Sequence, residues 1–146
     1  MSGPLEDEQA LRDLMATYLD AVYRNDGEAW KATWTEDSEW NLVGNAVTGR
    51  DNIYAMWQGA MASFEFAMMV PSIGKFEIDG DVASGFWYLQ EFTRDHDGNT
   101  SCIVSRYLDT YVRENGRWLY KSRHYDFIYN GPADLSGNFM PLPGAG

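Results

Sequence analysis

Cysteine and histidine are scarce in this sequence of 146 residues. Cys102 is the only cysteine, and His96 and His124 are the only histidines. One thiol cannot form an intrachain disulfide, so we expect a reducing compartment, and the cytoplasm fits this best. Two separated histidines, without a cysteine pair or a His-Glu-x-x-His motif, do not make a usual transition-metal site, so we predict no metal. Cys102 lies in the apolar segment Cys102-Ile103-Val104, where cysteine usually packs rather than reacts.

The sequence also has few basic residues and no long apolar segments. The formal net charge is -11, from 11 basic and 22 acidic residues. Such a chain repels polyphosphates and anionic surfaces, so we predict neither nucleic acid nor a membrane as a partner. No segment reaches the roughly 18 apolar residues of a membrane span, and residues 1–7 lack a signal-peptide pattern. Glycine-rich phosphate loops are absent, so we expect no nucleotide cofactor. The absence of a Gly-x-Ser-x-Gly motif argues against a hydrolase of that kind.

Aromatic residues, by contrast, are abundant. The chain has six Trp, nine Tyr and seven Phe. This number exceeds what the core of one small domain needs, and aromatic faces with polar tips suit either an aromatic ligand or a large interface. We therefore predict a small aromatic substrate as the partner of this protein.

The periodicity of apolar residues changes from helical to strand-like along the chain. We predict helices over residues 6–24 and 51–63, with a short helix between them that carries Trp30 and Trp34. Strands are predicted over residues 39–43, 66–73, 75–78, 82–93, 100–113 and 117–129, the last three separated by Asp97-Gly98-Asn99 and Asn115-Gly116. Helices followed by a long meander predict one α+β domain over residues 1–146. Strands of this length must curl, so we expect a cone-shaped, mixed or antiparallel sheet whose concave face the helices close.

Four segments carry a resemblance to a known family. They are Leu11-Arg12-Asp13-Leu14, residues 34–40, residues 49–53 and residues 107–118. In this order and spacing they resemble the SnoaL-like proteins, members of the nuclear transport factor 2-like superfamily. The most similar branch contains scytalone dehydratase and hexachlorocyclohexane dehydrochlorinase, and the resemblance also admits the lignin diarylpropane lyases. It implies the cone fold, activity without a cofactor, and a homo-oligomer that is a trimer rather than a dimer.

The resemblance also indicates catalytic positions. In the dehydrochlorinase branch a helix carboxylate and a strand histidine abstract a proton, and these positions match Tyr23 and Met69, so that dyad is missing. The family's arginine on the last strand matches Arg123. We therefore predict catalytic roles for Tyr23 as the acid–base group and Arg123 as the electrostatic stabiliser, with Tyr107 and Tyr125 as supporting phenols. A nearby guanidinium would lower the pKa of a phenol and make it a base.

Strand alternation divides the other side chains between two faces, and the resemblance implies which of the two faces points into the cone. We expect the substrate to be bound by Tyr18, Trp40, Met69, Tyr88, Gln90 and Phe127. Further inward-facing residues are expected to be Phe86, Phe92, Ser105 and Lys121. The opposite face is expected to form a subunit interface through Glu91, Arg106, His124 and Asp126, among Trp87, Leu89, Trp118 and Tyr120. Sequence alone does not fix the register, and a slip of one residue would exchange the two faces.

These features favour a cofactor-independent lyase. Its reaction would remove water, or water and formaldehyde, from a hydroxylated aromatic compound such as a lignin-derived diaryl diol. An isomerase or cyclase of polyketides or steroids is an alternative, and it would need an inward carboxylate from Asp20 or Asp109. A binding protein without catalytic activity is the other alternative, and His124 stays open as a different acid or base.

Overall fold

Three helices lie in the first half of the chain. The computed structural model describes residues 4–140 and 142–143, so residues 1–3 of the segment that was searched for a signal-peptide pattern lie outside the described residues. Helix α1 spans Pro4–Arg24, α2 spans Gly27–Lys31 and α3 spans Arg50–Ala62. The positions of α1 and α3 confirm the two long predicted helices to within two residues at each end. Asp26 caps α2 by accepting a hydrogen bond from the backbone N–H of Ala29.

Eight strands within the described residues form a single curved sheet. They are β1 Trp34–Leu42, β2 Asn45–Thr48, β3 Phe64–Pro71, β4 Lys75–Asp79, β5 Val82–Asp95, β6 Thr100–Glu114, β7 Arg117–Gly131 and β8 Asn138–Phe139. The order is β2-β1-β7-β6-β5-β3, with β4 pairing to β5 and β8 pairing to β7. Only the β1–β7 pair is parallel among these. Helices α1 and α3 pack against strands of this sheet, which confirms the predicted α+β cone.

The region around Trp34 differs from the prediction. Trp34 begins strand β1 and pairs with Tyr120 of β7, instead of continuing the short helix. The helix ends earlier because the Thr33 hydroxyl donates a hydrogen bond to the Trp30 carbonyl at 2.7 Å, while the Thr33 carbonyl accepts one from the backbone N–H of Tyr120. Strand β1 is consequently longer than the predicted residues 39–43, and β2 was not predicted.

The register of β5 against β6 reverses the predicted faces of β5. Trp87 pairs with Tyr107, and Leu89 pairs with Ser105. Directly paired residues share a face of the sheet, so Trp87, Leu89 and Glu91 point into the cone together with Tyr107 and Ser105. The expectation that Phe86, Tyr88, Gln90 and Phe92 face inward is therefore wrong. A five-residue connection, residues 95–99, joins the paired ends Arg94 and Thr100, and its odd length decides which residues share a face.

A bulge in β7 corrects three further assignments, those of Trp118, Tyr120 and Lys121. Thr110 pairs with Ser122 and Tyr111 pairs with Tyr120, so Lys121 is an extra residue without an opposite partner. Alternation restarts after it, and both Tyr120 and Arg123 are fully buried inside the cone. Lys121 instead bonds Asp37 at the surface. Trp118 is also buried, on the inner side rather than on the outer face where it was expected.

Indole rings fill one side of the cone beneath the helices. Trp30 stacks on Trp57 at a centroid distance of 4.7 Å, and Trp34 and Trp40 lie 5.9 Å apart at a tilt. Tyr18 of α1 contacts two of these rings. This aromatic packing holds α1, α2 and α3 against the sheet and leaves an open space beside it.

Candidate functional site

A cavity of about 240 Å³ lies between the concave face of the sheet and helices α1 and α3. Six residues that were predicted to form the site lie on its wall: Tyr18, Trp40, Met69, Tyr107, Tyr125 and Phe127. Met56 of α3, which is 47% exposed, lies at the side where the cavity meets the surface. Of its 18 lining residues, seven are aromatic and one, Glu91, is charged. The cavity is therefore an apolar pocket with a single acidic group.

Glu91 is the residue that sequence reasoning placed on the wrong face. Its carboxyl oxygen Oε2 accepts a hydrogen bond from the Ser105 hydroxyl at 2.7 Å and another from the Tyr125 hydroxyl. The residue is only 9% exposed. Burial raises the pKa of Glu91 above its usual range, although the two hydrogen bonds oppose this. A buried carboxyl with a raised pKa is well suited to hold and exchange a proton.

Arg123 lies beneath the cavity and is paired with Asp109, while its buried Nη1 has no hydrogen-bond partner among the described residues. Its Nε and Nη2 donate to the two carboxylate oxygens of Asp109 at 2.7 and 3.1 Å. Its guanidinium also lies over the rings of Tyr18, Tyr107 and Tyr120, at 3.7 Å from the Tyr107 centroid. Burial lowers the pKa of Arg123, but Asp109 and these phenols raise it by more, so the guanidinium stays charged. The structure thus places Arg123 where it orders two cavity side chains without lining the cavity itself.

The phenols of the cavity are neutral donors. Burial raises the pKa of Tyr18, and raises those of Tyr107 and Tyr125 well above their usual range. The expected lowering by Arg123 is present for Tyr18 and Tyr107 but is smaller than the effect of burial. Tyr18 and Tyr107 share a hydrogen bond between their hydroxyls at 3.2 Å. These phenols can donate hydrogen bonds to a ligand, whereas the expected phenolate base is not supported.

Three of the predicted site residues lie away from the cavity. Tyr23 is 57% exposed at the end of α1, and its ring contacts Phe66 of β3 edge to face. Tyr88 is 41% exposed and Gln90 is exposed, both on the outer face of β5. The structure therefore does not bring Tyr23, Tyr88 or Gln90 together with Tyr107 and Tyr125.

The outer face carries the polar network that was expected there, with one member missing. Arg106 bonds Asp126 at 3.2 Å, and His124 lies 3.5 Å from the same carboxylate. Glu91, the fourth expected member, faces the cavity instead. His96 lies elsewhere, with its Nε2 3.0 Å from the Ala62 carbonyl oxygen. An interface role for this face, and the trimer that it would serve, stay predictions.

Other possible sites are less well equipped within residues 4–140 and 142–143. A larger surface hollow of about 610 Å³ lies beside Phe66, Phe92 and Arg94, but its acidic residue, Glu65, is exposed and paired with Arg94. No group of three or more His, Cys, Asp or Glu side chains there could hold a metal ion, and Cys102 is buried. None of the described helices has the length and apolarity to cross a membrane.

Comparison with solved structures identifies the architecture. The chain superimposes on a candidate scytalone dehydratase from Novosphingobium aromaticivorans with a TM-score of 0.86 and 21% identity, covering 97% of this chain and 96% of that one. A candidate aromatic ring hydroxylase from the same organism gives a TM-score of 0.82 and 26% identity, covering 94% and 96%. A hexachlorocyclohexane dehydrochlorinase from Novosphingobium barchaimii gives 0.79 and 18%, covering 95% and 97%. These likenesses show a common fold.

Sequence comparison gives a family. No curated protein sequence matches this chain significantly. The sequence profile of the SnoaL-like domain matches residues 3–124, which is most of the chain and includes α1 and Glu91 but ends before Tyr125. The order of elements and the cone shape agree with that match. The chain therefore belongs to the SnoaL-like domain family.

Proposed function

We propose that this protein is a cofactor-independent lyase that eliminates water from a small hydroxylated aromatic compound, with Glu91 as its acid–base group. The observation that carries the proposal is the buried Glu91 carboxyl, which lines an apolar cavity and accepts hydrogen bonds from Ser105 and Tyr125. Two similar structures bear the names of elimination enzymes, a dehydratase and a dehydrochlorinase. Their names support this reaction class.

The elimination needs one proton delivered and one removed. Protonated Glu91 gives its proton to the leaving hydroxyl, so the carbon–oxygen bond breaks and water departs. The resulting carboxylate then removes a proton from the neighbouring carbon, the double bond forms, and Glu91 is protonated again. A raised pKa favours the first step because it increases the protonated fraction of Glu91 at a given pH. The neutral hydroxyl of Tyr107 donates a hydrogen bond to the substrate oxygen while it accepts one from Tyr18, and the single O–H of Tyr125 stays bonded to Glu91.

The other predicted catalytic residues take different parts in this scheme. Arg123 is a positioning residue, because its guanidinium lies against the ring of Tyr107 and does not line the cavity. Tyr23 has no part in the step, since it lies at the surface beside Phe66. The expected acid–base role of Tyr23 thus passes to Glu91.

The size of the cavity favours a substrate with one ring. An engineered apolar cavity of about 150 Å³ holds benzene, so about 240 Å³ accommodates one ring with a short hydroxylated side chain. For a lignin-derived diaryl diol, the second ring would have to lie at the opening beside Met56. Loss of formaldehyde together with water would begin with removal of a hydroxyl proton, which ionised Glu91 can also accept.

An isomerase of the steroid or polyketide type is the second candidate, and the same carboxyl favours it. Asp20 is exposed and bonds Arg24, while Asp109 is held by Arg123, so neither is available as the inward base. Glu91 instead supplies a carboxyl that could move a proton between two carbons. An isomerase would give a product of unchanged mass.

Product analysis by mass spectrometry tests the proposal. Purified protein is incubated, without cofactor, with one-ring and two-ring benzylic alcohols and diols. We expect products lighter by one water, and a rate at least about 10²-fold lower for Glu91→Gln, since general acid–base catalysis typically contributes that much. The exposed Glu65→Gln is the matched control and should keep the wild-type rate. Equal rates for Glu91→Gln and wild type, or bound compounds that are never converted, would contradict the proposal.

A further inference from the structure

We propose that the cavity is also a binding site for protonated alkylamines that carry one aromatic ring, with the ammonium group against Glu91 and the ring among the aromatic side chains. This inference goes beyond the eliminated hydroxyl, because it concerns the charge of the molecules that the cavity admits. It uses the same cavity as the proposed lyase but does not require any turnover.

The charges around the cavity point to a cation. Glu91 is the single charged residue among the 18 that line it, and no described lysine, arginine or histidine does so. Arg123, which contacts the cavity residues Tyr18 and Tyr107 from beneath, is fully buried and has its charge balanced by Asp109. An anionic ligand would therefore meet an acidic group without a basic one, whereas a cationic ligand would supply the counterion that Glu91 lacks.

The hydrogen bonds at Glu91 leave a position for such a ligand. Ser105 and Tyr125 both donate to Oε2. Within the described residues Oε1 has no hydrogen-bond partner, and Glu91 forms no salt bridge there. Donors directed at a carboxylate favour its ionised form, while burial opposes ionisation. An ammonium group beside Oε1 would favour the ionised carboxylate, because the two groups then form an ion pair.

The residues that line the cavity suit the aromatic ring of such a ligand. Tyr125 and Phe127 pack edge to face at 5.2 Å next to Glu91, and Trp40 also lines the space. Aromatic faces attract cations through their quadrupoles, and they do so most strongly where water is excluded. Met69, which pairs with Glu91 across β3 and β5, adds a polarizable thioether that packs well against a ring. With about 240 Å³ of space, the fitting class is a one-ring alkylamine.

Calorimetric titration with three ligands of similar shape tests this inference. Benzylamine, benzyl alcohol and benzoate are titrated at pH near 7, where alkylamines are protonated and carboxylic acids are ionised. We expect benzylamine to bind at least about tenfold more tightly than benzyl alcohol, a difference that one favourable charge interaction can supply, and benzoate not to bind.

Two variants that each remove one negative charge distinguish an effect of the cavity on ligand affinity from an effect of the net charge of the protein. Glu91→Gln should lower the affinity for benzylamine at least about tenfold and so remove the preference of the cavity for benzylamine over benzyl alcohol. Glu65→Gln removes the same charge from an exposed site and should change neither. Equal binding of benzylamine and benzyl alcohol by the wild type, or an unchanged benzylamine affinity in Glu91→Gln, would overturn the inference. Because no product is measured, the lyase proposal can fail while amine binding holds, and the reverse can also occur.

Discussion

Two carboxyl groups on the inner face of the sheet have opposite surroundings. Asp109 accepts two hydrogen bonds from Arg123 and a third from the Tyr111 hydroxyl at 2.7 Å, so its charge is balanced inside the protein. Glu91 accepts hydrogen bonds from two neutral hydroxyls and faces a cavity. Both side chains are buried, and both belong to neighbouring central strands.

The difference separates a structural site from a reactive one. A buried ion pair with good geometry is costly to break and has little reason to exchange protons. A buried carboxyl without a counterion can change its protonation state when a ligand arrives. Arg123 and Asp109 therefore form a structural ion pair at the floor of the cone, and Glu91 above it is the carboxyl to which we assign the proposed reaction.

The largest expected effect comes from breaking the ion pair. Asp109→Asn leaves the Arg123 guanidinium buried without a counterion, so we expect the free energy of unfolding to fall by about 3–5 kcal/mol. Urea denaturation measures it. The double variant Asp109→Leu/Arg123→Met removes both charges and should be less destabilised than the single variant. An Asp109→Asn protein as stable as wild type would show that the pair does not hold the floor of the cone.

Changing the cavity carboxyl should affect stability much less. Glu91→Gln keeps an oxygen that can accept from Ser105 and Tyr125, so we expect its free energy of unfolding to stay within about 1 kcal/mol of wild type at low pH. As the pH rises above the ordinary carboxyl pKa of 4.5, the unfolded wild type loses the Glu91 proton while the folded protein retains it. Wild-type stability should then fall relative to the variant.

The decrease in the free energy of unfolding of the wild type, relative to Glu91→Gln, measures how far folding raises the pKa of Glu91. It amounts to about 1.4 kcal/mol for each unit by which folding raises the pKa of Glu91, and it is complete once the pH exceeds the raised value. Urea denaturation of both proteins at several pH values gives the difference. A wild type that gains stability over Glu91→Gln as the pH rises would mean that folding lowers this pKa.

The sequence was sufficient for the fold because the signals there are local. Apolar residues repeat at helical spacing in α1, and the turn at Asn115-Gly116 separates two long strands, so the cone could be predicted. The faces of β5 and β7 depend on where the pairing starts. A five-residue connection and the extra residue Lys121 each reverse the alternation, and neither leaves a clear mark in composition.

The candidate site was predicted in part for the same reason. Residues on β6 and on β7 beyond the bulge, such as Tyr107 and Tyr125, were assigned to the correct face, whereas Glu91 on β5 was not. The burial of Arg123 against Asp109 depends on cross-strand pairing, which joins these two residues directly. A register argument from the length of residues 95–99 would have moved Glu91 into the cavity.

The most direct test of this account is a titration of the Glu91 carboxyl by nuclear magnetic resonance with carbon-13-labelled glutamate. The signal is assigned by its loss in Glu91→Gln. We predict a pKa above the ordinary value of 4.5, because the side chain is buried without a counterion, and a further rise in Tyr125→Phe, which removes a hydrogen bond to the carboxylate. A Glu91 pKa at or below 4.5 in the wild type would contradict the claim that this is the reactive carboxyl.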